Sequence, residues 1–197
     1  MALSVPYLLS LAVLLGAGLA IFRGLVRSDY RKYGRLRAVT GLLEWALALA
    51  IFAFPYLFNP LCWALVWSCP ASGPAWARIL GLLLIGVGAL LAFGSMAWLG
   101  LRRSTGLQVG TVFDRGLYRW TRNPQVVFGM VMILGVVCLW PSAYALGWLV
   151  ASMILLHAMV LTEEEHLTRV HCDAYRDYCR RVPRYLGKPT LGSGTRP

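Results

Sequence analysis

Residues 123–162 read NPQVVFGMVMILGVVCLWPSAYALGWLVASMILLHAMVLT, forty residues without an Asp, Glu, Lys or Arg. As one helix this stretch would run about 60 Å, twice the hydrocarbon core of a bilayer. One crossing does not use it up. A turn is expected near Trp140-Pro141-Ser142, since a single crossing would strand the basic segment from Arg169 onward on the opposite side from the other basic clusters. The reading is a two-helix hairpin whose first arm, Val126–Leu139, gives only about 21 Å of helix. An arm that short tilts, or starts below the membrane surface and leaves a cavity on that side.

Working outward, Leu3–Phe22 and Ile79–Leu101 are also uncharged, and Ala38–Ala77 carries a single charge, Glu44. With 58% hydrophobic and 14% charged residues, the apolar runs are too many for the core of a small soluble domain. The 19 Lys and Arg fall in clusters: six in Arg23–Arg37, five in Arg102–Arg122, seven from Arg169 onward, and Arg78 alone. If all three clusters are cytoplasmic, the chain crosses an odd number of times. The expected fold is all-α and polytopic, with about five transmembrane helices, the last two a short hairpin, followed by a cytoplasmic C-terminal helical segment. The N-terminus lies outside and the C-terminus inside, with the bacterial inner membrane as the expected location. The first run lacks a basic start and is long for a signal peptide, so it is expected as a retained span.

The chain divides into a two-span scaffold (1–78), a half that holds the polar features (79–188) and a flexible tail (189–197). Cys62 and Cys69 sit in an outer excursion where a disulfide is open to them. Cys172 and Cys179, two helical turns apart, are too distant to pair. No CxxC or HxxxH spacing accompanies His166 and His171, so no metal is expected. Glu44, about six residues into a span, either faces Arg37 and the basic elbow or lines a substrate path.

Polar chemistry concentrates in two segments on the cytoplasmic side. The first is DRGLYRWTRNPQ, Asp114–Gln125. Pro124 favours an extended Asn123 and can open the next helix, whose free amides, with Arg119 and Arg122 nearby, suit an anionic group. The second, TEEEHLTRVHCDAYRDYCRRVPRYLG, begins at Thr162 and holds three of the chain's eight acidic residues in succession. Adjacent helical residues point about 100° apart, so at most two of Glu163, Glu164 and Glu165 look into one pocket. Glu164 lies below His157, seven residues earlier. Two readings stay open for these acids: ion pairing with the arginine-rich loop, or a ligand site.

The two segments resemble the isoprenylcysteine carboxyl methyltransferase and phospholipid methyltransferase superfamily. Its pattern G-x-Y-x-x-x-R-[HN]-P, then an apolar hairpin, E-E-x-x-L, Y-x-x-Y and V-P-[RY], is matched in order. This chain has Gly116, Tyr118, Arg122-Asn123-Pro124, Glu163-Glu164 with Leu167, Tyr175 and Tyr178, and Val182-Pro183-Arg184-Tyr185. The match covers about residues 80–187. It departs from the pattern at Asn123, where histidine is commoner, at Val126, at Phe128-Gly129, and at His171-Cys172, which replaces a Phe-Gly pair.

The resemblance implies S-adenosylmethionine in a cytoplasmic pocket, with S-adenosylhomocysteine as product and a lipid or prenylated acceptor entering from the bilayer. Glu163 or Glu164 suits the cofactor's cationic groups, and Arg122 or the helix-start amides at Asn123-Pro124 suit its carboxylate. Tyr118, Tyr175 or Tyr178 suits its adenine. Methyl transfer is an in-line displacement that depends on positioning. Arg122, Glu164 and Arg181 are the residues expected at the chemistry, Arg181 to hold a carboxylate acceptor. An amine acceptor must lose a proton to a group such as Glu164 or His157.

DYCRRVP also resembles the ending of integral-membrane sterol reductases, which bind NADPH but are about twice this length. A membrane accessory protein on the same fold, or a binder of membrane-lipid headgroups through the basic loops, are further alternatives. The positive-inside bias already accounts for the net charge of +11, so no nucleic-acid partner is expected.

Overall fold

The structure, a computed structural model, describes residues 4–58, 74–100 and 115–187. The Cys62–Cys69 pair, most of the Arg102–Arg122 loop and the 189–197 tail lie outside the described residues. Five helices account for nearly all of the described chain: α1 (Val5–Tyr33), α2 (Ala38–Phe58), α3 (Ala75–Leu99), α4 (Pro124–Leu139) and α5 (Ala143–Arg181). No strand occurs among the described residues. Helices α1, α2, α3 and α5 are long and apolar enough to cross a membrane; α4, with 16 residues, is shorter. The hairpin turns where the sequence indicates. Helix α4 stops at Leu139, and Ser142 caps α5 by accepting from the Ala145 amide at 3.1 Å.

Neighbouring helices alternate in direction. Gly81 of α3 meets Gly135 of α4, and Gly88 meets Phe128 and Met132, so these two run antiparallel. They pack backbone to backbone: a Cβ on Gly135 would sit 2.7 Å from the Gly81 carbonyl, and one on Gly88 would sit 2.7 Å from the Met132 amide. Small residues permit such approach where no hydrophobic effect separates lipid from protein. Helices α1 and α5 are parallel. Tyr7 donates to the Tyr144 carbonyl at one end (2.6 Å), and Arg23 donates to Thr162 Oγ1 at the other (3.2 Å).

The largest apolar cluster joins α1, α2, α4 and α5 through Tyr7, Leu14, Phe22, Ile51, Ile133, Trp148 and Leu155. One hydrogen bond in it answers a backbone problem. Pro55 inside α2 has no N–H, which frees the Ile51 carbonyl four residues earlier. The Trp148 indole N–H of α5 donates to that carbonyl at 2.8 Å. In a bilayer an unmet carbonyl costs several kcal/mol, so this bond fixes α2 against α5.

Two irregularities bear on function. Helix α1 widens to a π-helical turn over Ala20–Val26, around Arg23. Helix α5 breaks its regular geometry at Cys172, with φ 46° and ψ −116°, beyond the three glutamates. The glutamates therefore sit within a continuous helix rather than at its carboxyl end, and the helix dipole does not oppose them.

Candidate functional site

Helix α5 carries successive acids to different neighbours, as the 100° step requires. Glu163 turns toward α1 and α2, where its electrostatic neighbours are Tyr30 and Glu44. Arg37, the sequence-based partner of Glu44, is instead engaged by buried Asp29, which also accepts from Thr40. Glu165 meets two arginines of α1, Arg23 at 2.8 Å and Arg27 at 2.7 Å. Glu164 faces the opposite junction.

That junction forms where α5 ends. Pro183 holds Val182 in extended backbone (φ −119°, ψ 127°), so the chain leaves the helix and folds back along it. The returning segment bonds to the turn before α4. Arg122 N–H donates to the Pro183 carbonyl at 3.0 Å, and Thr121 Oγ1 and Asn123 Nδ2 both donate to the Arg184 carbonyl at 3.1 Å. Tyr178 donates to the Tyr118 carbonyl at 2.7 Å. The arginine-asparagine-proline turn and the post-membrane segment, about 60 residues apart in sequence, are thus one structure.

Glu164 lies at its centre. Its Oε2 receives the Arg184 guanidinium, from Nε at 2.9 Å and Nη2 at 2.7 Å, and its Oε1 lies 3.3 Å from Arg122 Nη1. The bond to Glu164 holds the Arg184 guanidinium above the usual arginine range. The side chains of Glu164 and Arg122 are each only 11% exposed. Arg122 Nη1 also reaches Cys179 Sγ. Two atoms here stay unsatisfied: Glu164 Oε1 accepts no hydrogen bond and Arg122 Nε donates none, although both are buried.

An open cleft of about 460 Å³ runs along this face of α5, within the range of small-molecule sites. Leu161, Glu164, Glu165, Thr168 and Arg169 line it from α5, Arg27 from α1 and Arg184 from the returning segment. Of the residues expected at the cofactor or the chemistry, only Glu164 lines it directly, with Arg122 behind Glu164. Asn123 and Pro124 are buried in the turn; Pro124 opens α4 as its first residue, and Asn123 leaves the helical region at φ −129° and ψ 61°. Tyr118, Tyr175 and Tyr178 are buried, the last two with Val182 in a small cluster of their own. Arg181 is exposed and away from the cleft lining; Glu163 is absent from the lining as well.

Arg184 and Tyr185 were not singled out for a site, although both belong to the V-P-R-Y step. Tyr185 Oη lies 2.7 Å from His157 Nδ1. Burial lifts the Tyr185 phenol above its usual range.

Five alternating apolar helices, with a charged cleft along the middle of the last, define a membrane-embedded protein. The phospholipid methyltransferase family matches residues 76–174, half of the chain, and this chain belongs to that family, within the wider superfamily of membrane methyltransferases. It is an integral membrane protein, and the family makes it a lipid-modifying methyltransferase. The matched region holds α3, α4, the arginine-asparagine-proline turn and the three glutamates, and stops before Tyr175 and Arg184. Comparison with curated proteins and with solved structures found no match.

Proposed function

We propose that this protein transfers a methyl group from S-adenosylmethionine to a lipophilic acceptor that reaches the α5 cleft from the bilayer. The observation that carries the reading is the pair of unsatisfied atoms, Glu164 Oε1 and Arg122 Nε. A buried acceptor on an anion beside a buried donor on a cation is complementary to the ammonium and carboxylate of an amino-acid group. The cofactor has such a group, and the residues present fit it. When bound, it supplies an electrophilic methyl group on a sulfonium. The chain's own residues bind and orient: Arg122 and Glu164 at the amino-acid end, Arg184 fixing the Glu164 carboxylate, and the buried tyrosines holding the returning segment over the turn.

In this reading Arg184 lines the cleft and Arg181, expected to hold a carboxylate acceptor, does not, and residues 79–188 carry the chemistry on the scaffold of α1 and α2. The orientation we propose has five crossings, N-terminus outside and cleft cytoplasmic, in a bacterial inner membrane. The parallel run of α1 and α5 supports odd parity, since the first and fifth of five alternating spans point the same way.

Isothermal titration of purified protein tests this. Binding of S-adenosylhomocysteine with no heat from NADPH is expected; the reverse favours a reductase. Mass spectrometry of lipids from expressing cells is expected to find species heavier by one methylene.

A further inference from the structure

His157 sits fourteen residues into α5, about 21 Å along a helix whose Glu164 lies about 32 Å along, near the far edge of a 30 Å hydrocarbon core. The ring is therefore at hydrocarbon depth, yet it is exposed. An ionisable side chain in that position is costly and marks a site rather than packing. Seven residues bring the helix round to almost the same face, so His157, Leu161, Glu164 and Thr168 form one row, the last three of which line the cleft. Its partner, Tyr185, comes directly after the arginine that grips Glu164.

We propose that His157, oriented by Tyr185, is the proton acceptor for the methyl acceptor at the bilayer end of the cleft. This rests on the methyltransferase reading. In this role the imidazole is the Nδ1–H tautomer, donating to the Tyr185 oxygen and leaving the Nε2 lone pair facing outward. An acceptor headgroup carrying an ammonium loses one proton there: its N–H bond breaks, the electron pair stays on nitrogen for methylation, and an Nε2–H bond forms. The imidazolium then gives that proton to water. The charged groups that act on Tyr185 are Arg184 and Glu164. Helix α4 presents none, having no charged residue, and α1 sends Arg23 to Thr162 on another face of α5.

Three readouts on the full chain in vesicles of phosphatidylethanolamine test this. Imidazole nitrogen NMR of the parent is expected to show the Nδ1–H tautomer, which Tyr185→Phe converts to a mixture. His157→Gln is expected to bind S-adenosylhomocysteine like the parent while kcat/KM falls about 100-fold, the lower end for a lost general base. An Nε2–H tautomer in the parent, parent-like turnover in His157→Gln, or methylation only of a prenylcysteine carboxylate, which needs no base, overturns the proposal. A parent that binds no S-adenosylhomocysteine overturns the methyltransferase reading, and this inference with it. Should His157→Gln fail to fold, Tyr185→Phe decides alone: unchanged tautomer and unchanged kcat/KM overturn it.

Discussion

Glu164 and Glu165 are adjacent, and each takes two arginines, but the two junctions they make differ. Glu165 ties α5 to α1 through Arg23 and Arg27, with every partner about a third exposed. Glu164 ties the turn before α4 to the returning segment, and it and Arg122 are only 11% exposed. The first junction satisfies both carboxylate oxygens. The second leaves a buried acceptor and a buried donor unmet. In the proposed reading the first junction is a staple and the second a receptor, and the deeper burial of Glu164 and Arg122 is what separates them.

The comparison is broken most directly at Glu164. Removing one partner of a buried pair leaves the other charge uncompensated, at about 3–5 kcal/mol. Glu164→Gln is expected to lower the detergent-solubilised melting temperature and to weaken S-adenosylhomocysteine binding roughly 10–150-fold, the worth of a charge-assisted hydrogen bond. Loss of stability with unchanged affinity would make Glu164 a staple like its neighbour.

Arg184→Ala comes next. It removes both contacts to Glu164 Oε2, so a stability loss of about 1.5–3 kcal/mol is expected together with weaker cofactor binding. Arg181→Ala, three residues away and outside the cleft lining, is expected within about 0.5 kcal/mol of the parent. Equal effects in a melting and titration series would remove the distinction between the two arginines.

Glu165→Gln sharpens the comparison from the other side. Two partly exposed pairs contribute about 0–1 kcal/mol each, so a loss of up to about 2 kcal/mol is expected, with S-adenosylhomocysteine affinity unchanged. An affinity loss as large as that of Glu164→Gln would mean that both acids hold the cofactor.

Much of this was legible in the sequence, for physical reasons that also mark where legibility stops. Lipid imposes uncharged runs of fixed length, and the hairpin turn at Trp140-Pro141-Ser142 is set by proline and serine chemistry. The 100° step allows two of the three acids at one cleft; Glu163 and Glu164 are the pair expected from the sequence, while Glu164 and Glu165 line it. Which two depends on partners more than 130 residues away, Arg23 and Arg27, and no local pattern encodes them. Arg37, one of the partners open to Glu44, is held instead by Asp29, eight residues away across the Gly34 turn. Arg184 and Tyr185 did carry a signal of their own. Pro183 ends the helix, and residues just beyond a forced exit at the cleft are placed to return to it.

The smallest expected effect lies where the chain departs from the superfamily pattern. Cys172 stands where that pattern has glycine, and its φ of 46° makes it the sole non-glycine residue with positive φ among the described residues. A Cβ in left-handed backbone meets the neighbouring carbonyl, at roughly 1–2 kcal/mol. Glycine has no Cβ and adopts the same angles without that clash, though its freer unfolded chain returns part of the gain. Cys172→Gly is therefore expected to raise unfolding stability by up to about 1 kcal/mol. The thiol is exposed and bonds only weakly, to the Arg169 carbonyl at 3.5 Å, so little is lost with it. Because the break lies beyond Arg169, the last α5 residue of the cleft, the lining keeps its geometry, and cofactor affinity is expected unchanged. A destabilised Cys172→Gly would mean that α5 runs through this point as regular helix, where glycine is costly. The returning segment would then approach Glu164 from a different angle, and the receptor junction itself would need redrawing.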